Sequence, residues 1–240
     1  MAVPTPSSRW QRVYLLGDSL TQQSFSVGGW GARLADGYQR QFDVINRGFS
    51  GYTSAYVAGI LPRLAEEDQL LLRGDVAAAV VTLGCNDAVL EVDPRHIPVD
   101  QYIHHMRTIS AQLVEAGVPV EKQVFVGTPP VAEAKWADHC KSLGREMNLS
   151  NDNTRLYSEA LSKLAAEIGV ARFVELHSAV QRVDDWQNLL SDGLHLSPSG
   201  NEFVAEKIAQ ALVGVLPAAQ PAYPLWDAID PKNPPRLDKA

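Results

Sequence analysis

Along this chain, short apolar runs alternate with longer stretches in which apolar residues recur every three or four positions. The runs at about 12–17, 43–47, 76–83, 122–127 and 171–176 read as strands, because each is brief and rich in aliphatic or β-branched side chains. Ala77-Ala78-Ala79-Val80-Val81-Thr82-Leu83 is nearly continuous in apolar character. A strand of that kind needs cover on both faces, as a central parallel strand has. The stretches between predict helices around 28–41, 53–65, 99–116, 154–168 and 198–214. In the third, Tyr102, Ile103, Met106, Ile109 and Leu113 fall at helical spacing. The last has the clearest start: Ser197 as cap, Pro198 in the first helical position, then a stripe of Phe203, Val204, Ile208, Ala211, Leu212 and Val215.

This alternation predicts a parallel five-stranded sheet with helices on both faces, an α/β fold in three layers. Residues 85–98 and 128–153 are long for connections in such a fold. Both leave the carboxyl ends of strands, where open α/β sheets hold ligands, so they are expected to build a pocket. The length of 240 residues fits one domain over 1–216 followed by a tail over 217–240. Pro217, Pro221, Pro224, Pro231, Pro234 and Pro235 forbid a long helix in that tail. Tyr223, Leu225 and Trp226 are expected to anchor it on the domain; the alternative is a subunit contact in a homo-oligomer.

Composition narrows the function. Hydrophobic residues make up 45% and charged residues 20%, and no apolar run approaches the roughly 18 residues that a bilayer span requires. The first residues, through Arg12, lack the apolar stretch of a secretion signal, so the expectation is a cytoplasmic protein without membrane insertion. A formal net charge of −7 opposes binding to phosphate backbones, which excludes a nucleic-acid partner from the expectations. With only Cys85 and Cys140 there is neither a disulfide framework nor a four-thiolate metal site. No metal and no cofactor are expected.

The candidate chemistry lies at strand ends. A serine hydroxyl becomes a good nucleophile when a base takes its proton and a carboxylate orients that base. Ser19 follows the first strand in Gly17-Asp18-Ser19-Leu20-Thr21, and Asp192-Gly193-Leu194-His195 puts an acid and an imidazole three positions apart, within one turn of chain. The tetrahedral intermediate of acyl transfer needs donors aimed at its oxyanion. Gly48, after the second strand, offers a backbone N–H with no Cβ in the way, and Asn86, after the third, offers a side-chain amide.

These residues resemble the SGNH, or GDSL-type, hydrolases, with Gly17-Asp18-Ser19-Leu20-Thr21, Gly48, Gly84-Cys85-Asn86-Asp87 and Asp192-Gly193-Leu194-His195 in family order over roughly 12–215. The resemblance implies the flavodoxin-like three-layer α/β/α fold, with Ser19, Gly48, Asn86 and His195 as the family's named positions and Asp192 completing a triad. It also implies that Ser19 lends its N–H to the oxyanion hole. Cys85 departs from the Thr common there and leaves Asn86 in place. Within the family the chain is similar to isoamyl acetate-hydrolysing esterases, in its long segment after strand four and its Pro-rich, Trp-containing tail.

The function implied is a serine esterase acting on a small-molecule carboxylic ester with a short or medium acyl chain. Val89, Pro130, Val131 and Leu194 are expected to line its pocket. The same triad would also suit an acetylxylan or other carbohydrate acetylesterase, a lysophospholipase or a thioesterase. A different class, a flavin-binding flavodoxin-like module, would use Ser19, Thr21 and Ser24 to cradle a phosphate, but it leaves Asp192 and His195 without a role. Cys85 reads as a packed thiol, His177 lacks an acid three positions before it of the kind His195 has, and His96, His104 and His105 read as scattered surface histidines. Trp30 and Trp136 are expected to pack in the core.

Overall fold

The computed structural model describes residues 10–218 and 225–232. Five parallel strands, β1 (Gln11–Gly17), β2 (Phe42–Gly48), β3 (Val76–Thr82), β4 (Gln123–Val126) and β5 (Arg172–Val174), form one sheet in the order β2-β1-β3-β4-β5. The chain steps from β1 outward to β2, then crosses back to β3 on the other side of β1. That reversal opens a crevice over the carboxyl ends of β1 and β3.

The described helices are α1 (Ser19–Gln22), α2 (Trp30–Gly37), α3 (Ser54–Glu67), α4 (Leu70–Arg73), α5 (Val99–Glu115), α6 (Glu133–Ser142), α7 (Asn151–Ile168), α8 (Leu176–Gln181) and α9 (Pro198–Leu212). Because side chains alternate across a strand, each central strand feeds two cores. Tyr14, Leu16, Ala79, Val81 and Phe125 pack on one face with Val57 and Leu61 of α3, Met106 and Ile109 of α5, and Leu161 of α7. Val13, Leu15, Ala78, Val80 and Val124 pack on the other with Trp30 and Leu34 of α2, Leu176 and Val180 of α8, and Ile208 and Leu212 of α9. The three layers and the five-stranded parallel sheet are those the sequence predicts.

Differences cluster after β4. The segment 128–153, expected as loop, contains α6, whose only buried side chain is Cys140. With no apolar stripe, that helix has little periodicity to read. Helix α7 begins at Asn151 rather than 154, since the Ser150 hydroxyl accepts from the Asn153 N–H at 3.1 Å and caps a turn of weak helix formers. Strand β5 stops at Val174, and α8 takes up residues expected to continue it. Most of the tail, Tyr223 included, lies outside the described residues. Leu225 and Trp226, expected to anchor it, are exposed, Trp226 keeping 85% of its surface open. Among the described residues no helix is long and apolar enough to cross a membrane.

The α5 seam gives the fold its test. Ile109 is fully buried against the sheet, and Ile109→Ala is expected to cost about 2–5 kcal/mol in urea unfolding with an unchanged denaturant slope. A loss below about 1 kcal/mol would show that α5 does not pack there.

Candidate active site

The site begins where β1 runs out. A Cβ on Gly17 would drive into the Thr21 side chain and the Thr82 carbonyl, so only glycine lets the chain turn from β1 into α1 at this point. The Asp18 carboxylate caps that turn, its Oδ1 accepting from the Leu20 N–H at 2.9 Å. Ser19 is thereby set at the head of α1, on the sheet's carboxyl edge, where the sequence reading puts it.

His195 arrives from the segment before α9. A bridge between Leu190 and Leu196 pinches this segment, and the Ser191 N–H and hydroxyl both donate to the His195 carbonyl, at 2.7 and 3.0 Å. Inside the pinch, Asp192 Oδ1 accepts from the N–H groups of Leu194 at 2.9 Å and His195 at 2.8 Å. Its Oδ2 accepts from His195 Nδ1 at 2.7 Å, and His195 Nε2 lies 3.1 Å from the Ser19 hydroxyl. Gly193 makes the tight turn possible: its φ is +103°, and a Cβ there would strike the Trp136 amide.

The electrostatics follow from these contacts. The Asp192 hydrogen bond lifts the His195 imidazole above its ordinary 6.5, against the opposing pull of burial. Burial pushes the Asp192 carboxyl up, but the His195 hydrogen bond and the two backbone donors outweigh it and hold the acid below the usual carboxylate range. Beneath Ser19, burial drives Asp18 up to about 7 and Asp87 up to about 6, although each accepts backbone hydrogen bonds that oppose the rise.

Ser19 and His195 open into a cleft of about 770 Å³. Cys85, Val89, Leu149, Leu194 and Trp136 make its apolar wall, and Gln23, Ser50, Gly51 and Asn86 border it on the polar side. One Asn86 N–H donates to the Tyr52 carbonyl at 3.0 Å, and its Oδ1 accepts from Arg95 Nη1 at 3.2 Å.

Gly48 is a correction. It does not line the cleft, its N–H donates to Asn46 Oδ1 at 2.9 Å, and its bare Cα faces the Gln22 backbone, where a side chain would collide. The glycine is needed so that α1 can pack on the end of β2. Three residues on, Gly51 does line the cleft at φ +81°, and among the described residues neither its N–H nor that of Ser19 meets an acceptor. Two glycines three apart after one strand left the sequence no way to choose between them.

Of the four expected pocket residues, Val89 and Leu194 line the cleft, whereas Pro130 and Val131 do not. Val131 is buried behind the apolar wall and borders a separate depression beside α6, with its N–H donating to Asn151 Oδ1 at 3.2 Å. Trp136 reaches the cleft instead of packing in the core, meeting the His195 ring edge to face at 6.4 Å. It and His139, stacked on it at 5.1 Å, sit three apart on α6, a spacing that would have shown the pair had that helix been foreseen. Trp30 is buried as expected, donating from Nε1 to the Leu20 carbonyl at 2.8 Å.

The remaining candidates fall away from the chemistry. Cys85 is buried, and burial raises its thiol well above the ordinary value, so it stays protonated. His177 is buried with Nε2 facing the Asn151 carbonyl at 3.3 Å, apart from the cleft. His96 faces the Val89 carbonyl, while His105 meets the Ser54 hydroxyl at 3.2 Å. The flavin reading fails on burial: Thr21 and Ser24 have no exposed surface, and the Ser24 hydroxyl accepts from Asn46 Nδ2 at 3.2 Å, so no phosphate cradle opens there.

Comparison with known proteins gives the chain its family. The chain is 37% identical over 228 residues to the isoamyl acetate-hydrolyzing esterase 1 homolog of Bos taurus, a match covering 94% of this chain and 90% of that one. It is 35% identical over 234 residues to a GDSL esterase/lipase of Arabidopsis thaliana, covering 92% and 95%. Among solved structures, a lipase/acylhydrolase from Enterococcus faecalis superposes with a TM-score of 0.67 at 20% identity, over 89% of this chain and all of that one. Residues 15–203 match the GDSL-like Lipase/Acylhydrolase family, and the chain therefore belongs to that family and is a carboxylic-ester hydrolase.

Proposed function

We propose that the chain hydrolyses short-chain carboxylic esters through an acyl-enzyme formed on Ser19. In this reading His195 Nε2 takes the hydroxyl proton as Ser19 Oγ bonds to the ester carbonyl carbon, and the carbonyl electrons move onto oxygen. The Ser19 and Gly51 N–H groups and the second Asn86 Nδ2 hydrogen meet that oxyanion. His195 then returns the proton to the departing alcohol. Water, deprotonated by the same imidazole, attacks the acyl-enzyme and releases the acid and Ser19.

What supports this reading is the relay of 3.1 and 2.7 Å from Ser19 through His195 to Asp192, opening on a cleft beside which the Ser19 and Gly51 N–H groups meet no acceptor among the described residues. The acyl group is assigned to the wall of Cys85, Val89, Leu149 and Leu194, the buried apolar side of the cleft nearest Leu20. The acetate ester in the Bos taurus relative's name points the same way.

Three outcomes test it. Ser19→Ala is expected to lower turnover of p-nitrophenyl acetate by at least about 10³-fold with an unchanged melting temperature, and retained turnover eliminates Ser19 as nucleophile. Across p-nitrophenyl esters, acetate to butyrate should be the best substrates; activity confined to long chains would overturn the acyl assignment, and a preference for acetylated xylan or acyl thioesters would redirect the leaving group.

The base must be neutral to accept a proton, so kcat/KM is expected to fall as pH drops through the raised His195 value, with a midpoint above 6.5. Asp192→Asn should move that midpoint down and reduce kcat by up to about 10⁴-fold. Because burial pushes Asp18 up to about 7, the profile is also measured in Asp18→Asn; an acid limb that vanishes there belongs to Asp18 and not to His195.

A further inference from the structure

We propose that Arg95 is a positioning residue for ester hydrolysis: it fixes the Asn86 side-chain amide so that its NH₂ end faces the cleft, with Asp93 and Asn148 as its anchor. The proposal rests on the reading of Asn86 as an oxyanion donor.

The amide of an asparagine is nearly symmetric in shape and opposite in polarity at its two ends. Rotated by half a turn, Asn86 would aim its carbonyl oxygen at the developing oxyanion. Its orientation therefore needs a neighbour that only donates. Arg95 is such a neighbour, since a guanidinium has no acceptor. Its Nη1 donates to Asn86 Oδ1 at 3.2 Å, while the Tyr52 carbonyl, which only accepts, holds one hydrogen of Nδ2 at 3.0 Å. Reversed, the amide would set NH₂ against the guanidinium and oxygen against oxygen, in a residue that is 8% exposed.

Arg95 is itself held. Its Nε and Nη2 fork onto the Asp93 carboxylate at 3.0 and 2.7 Å, and the Arg95 backbone N–H adds a third donor at 2.9 Å. The same carboxylate accepts from Asn148 Nδ2 at 2.6 Å, and Asn148 Oδ1 accepts from Trp136 Nε1 at 3.1 Å. Here too polarity decides, because a carboxylate only accepts and an indole N–H only donates, so Asn148 has one satisfied orientation. The Leu90 N–H, donating to the Asn148 carbonyl at 2.8 Å, ties the loop after β3 to the loop after α6. One directed series of hydrogen bonds thus runs from Asn86 to Trp136, the ring against His195. The fork with Asp93 also offsets the guanidinium charge, so geometry rather than net charge is what Arg95 supplies.

The test is a double-mutant cycle on p-nitrophenyl acetate, with kcat, KM and melting temperature measured for wild type, Arg95→Met, Arg95→Lys, Asn86→Ala and the Arg95→Met/Asn86→Ala pair. Asn86→Ala is expected to lower kcat by about 10²-fold or more. Arg95→Met should lower kcat about tenfold with KM within about twofold, and should change kcat by less than about twofold once Asn86 is already alanine. Arg95→Lys should not restore it, because one ammonium cannot fork onto Asp93 and reach Asn86 as well. Rescue by lysine would mean that charge alone acts, and an undiminished Arg95→Met effect in the Asn86→Ala background would mean a general structural role; either overturns the proposal, as does wild-type kcat in Arg95→Met. If Arg95→Met fails to fold, Arg95→Lys carries the same cycle. Wild-type kcat in Asn86→Ala instead sinks the oxyanion reading beneath it, which separates the two failures.

Discussion

A carboxylate can orient an imidazole only if the carboxylate is itself immobile, and in this protein that immobility comes from backbone N–H groups a few residues ahead of each aspartate. Asp192 accepts from Leu194 and His195, Asp18 from Leu20, and Asp93 from Arg95. In each case the side chain closes a short turn on its own chain, which sets its rotamer before any distant partner arrives. The second oxygen, or the same one, is then available to a side chain that must be aimed: His195 by Asp192, the Arg95 guanidinium by Asp93. Local turns convert flexible acids into fixed acceptors, and the cleft is assembled from them.

The sheet supplies what the turns cannot, which is proximity between residues 176 positions apart. Ser19 and Asn86 follow β1 and β3, neighbours at the reversal of strand order, and His195 precedes α9, whose apolar stripe docks on the same sheet. The two cores on opposite faces of β1 and β3 hold these strand ends in register, so the depth of the crevice is set by aliphatic packing far from any polar atom.

That division explains what could be read from the sequence. Strand runs such as Ala77 to Leu83 and helix stripes such as that from Phe203 to Leu212 are periodic because burial imposes a period, so the layers and most boundaries could be read. The relay of Ser19, His195 and Asp192 could also be read, because each member has a chemistry few residues share. Gly48 and Gly51 cannot be told apart in the sequence, since both relieve a steric conflict: at Gly48 the collision is with the Gln22 backbone, and at Gly51 the conflict is a positive φ at the cleft. Pro130 and Val131 follow β4, where pocket residues are expected, yet neither lines the cleft, and Val131 packs in one cluster with Leu194. Helix α6, Trp136 and the Asp93–Arg95–Asn148 contacts had no periodic signal at all, because they join two irregular loops whose meeting depends on tertiary structure.

The buried acids under the nucleophile set a limit on how these parts can work. An anionic Asp18 or Asp87 near a developing oxyanion opposes it, and low-dielectric surroundings magnify the opposition. Asp87 is accommodated as an anion, accepting from the Ser54 N–H at 3.0 Å and the Ser54 hydroxyl at 2.5 Å at the positive end of α3. Asp18 has less support: its Oδ2 is buried and, among the described residues, meets no donor, which is why burial lifts it to about 7. Its charge also lifts His195, so a proton gained by Asp18 makes the imidazole a weaker base while it relieves the oxyanion. Protonation of Asp18 therefore changes the basicity of His195 as well as the field in which an oxyanion would form.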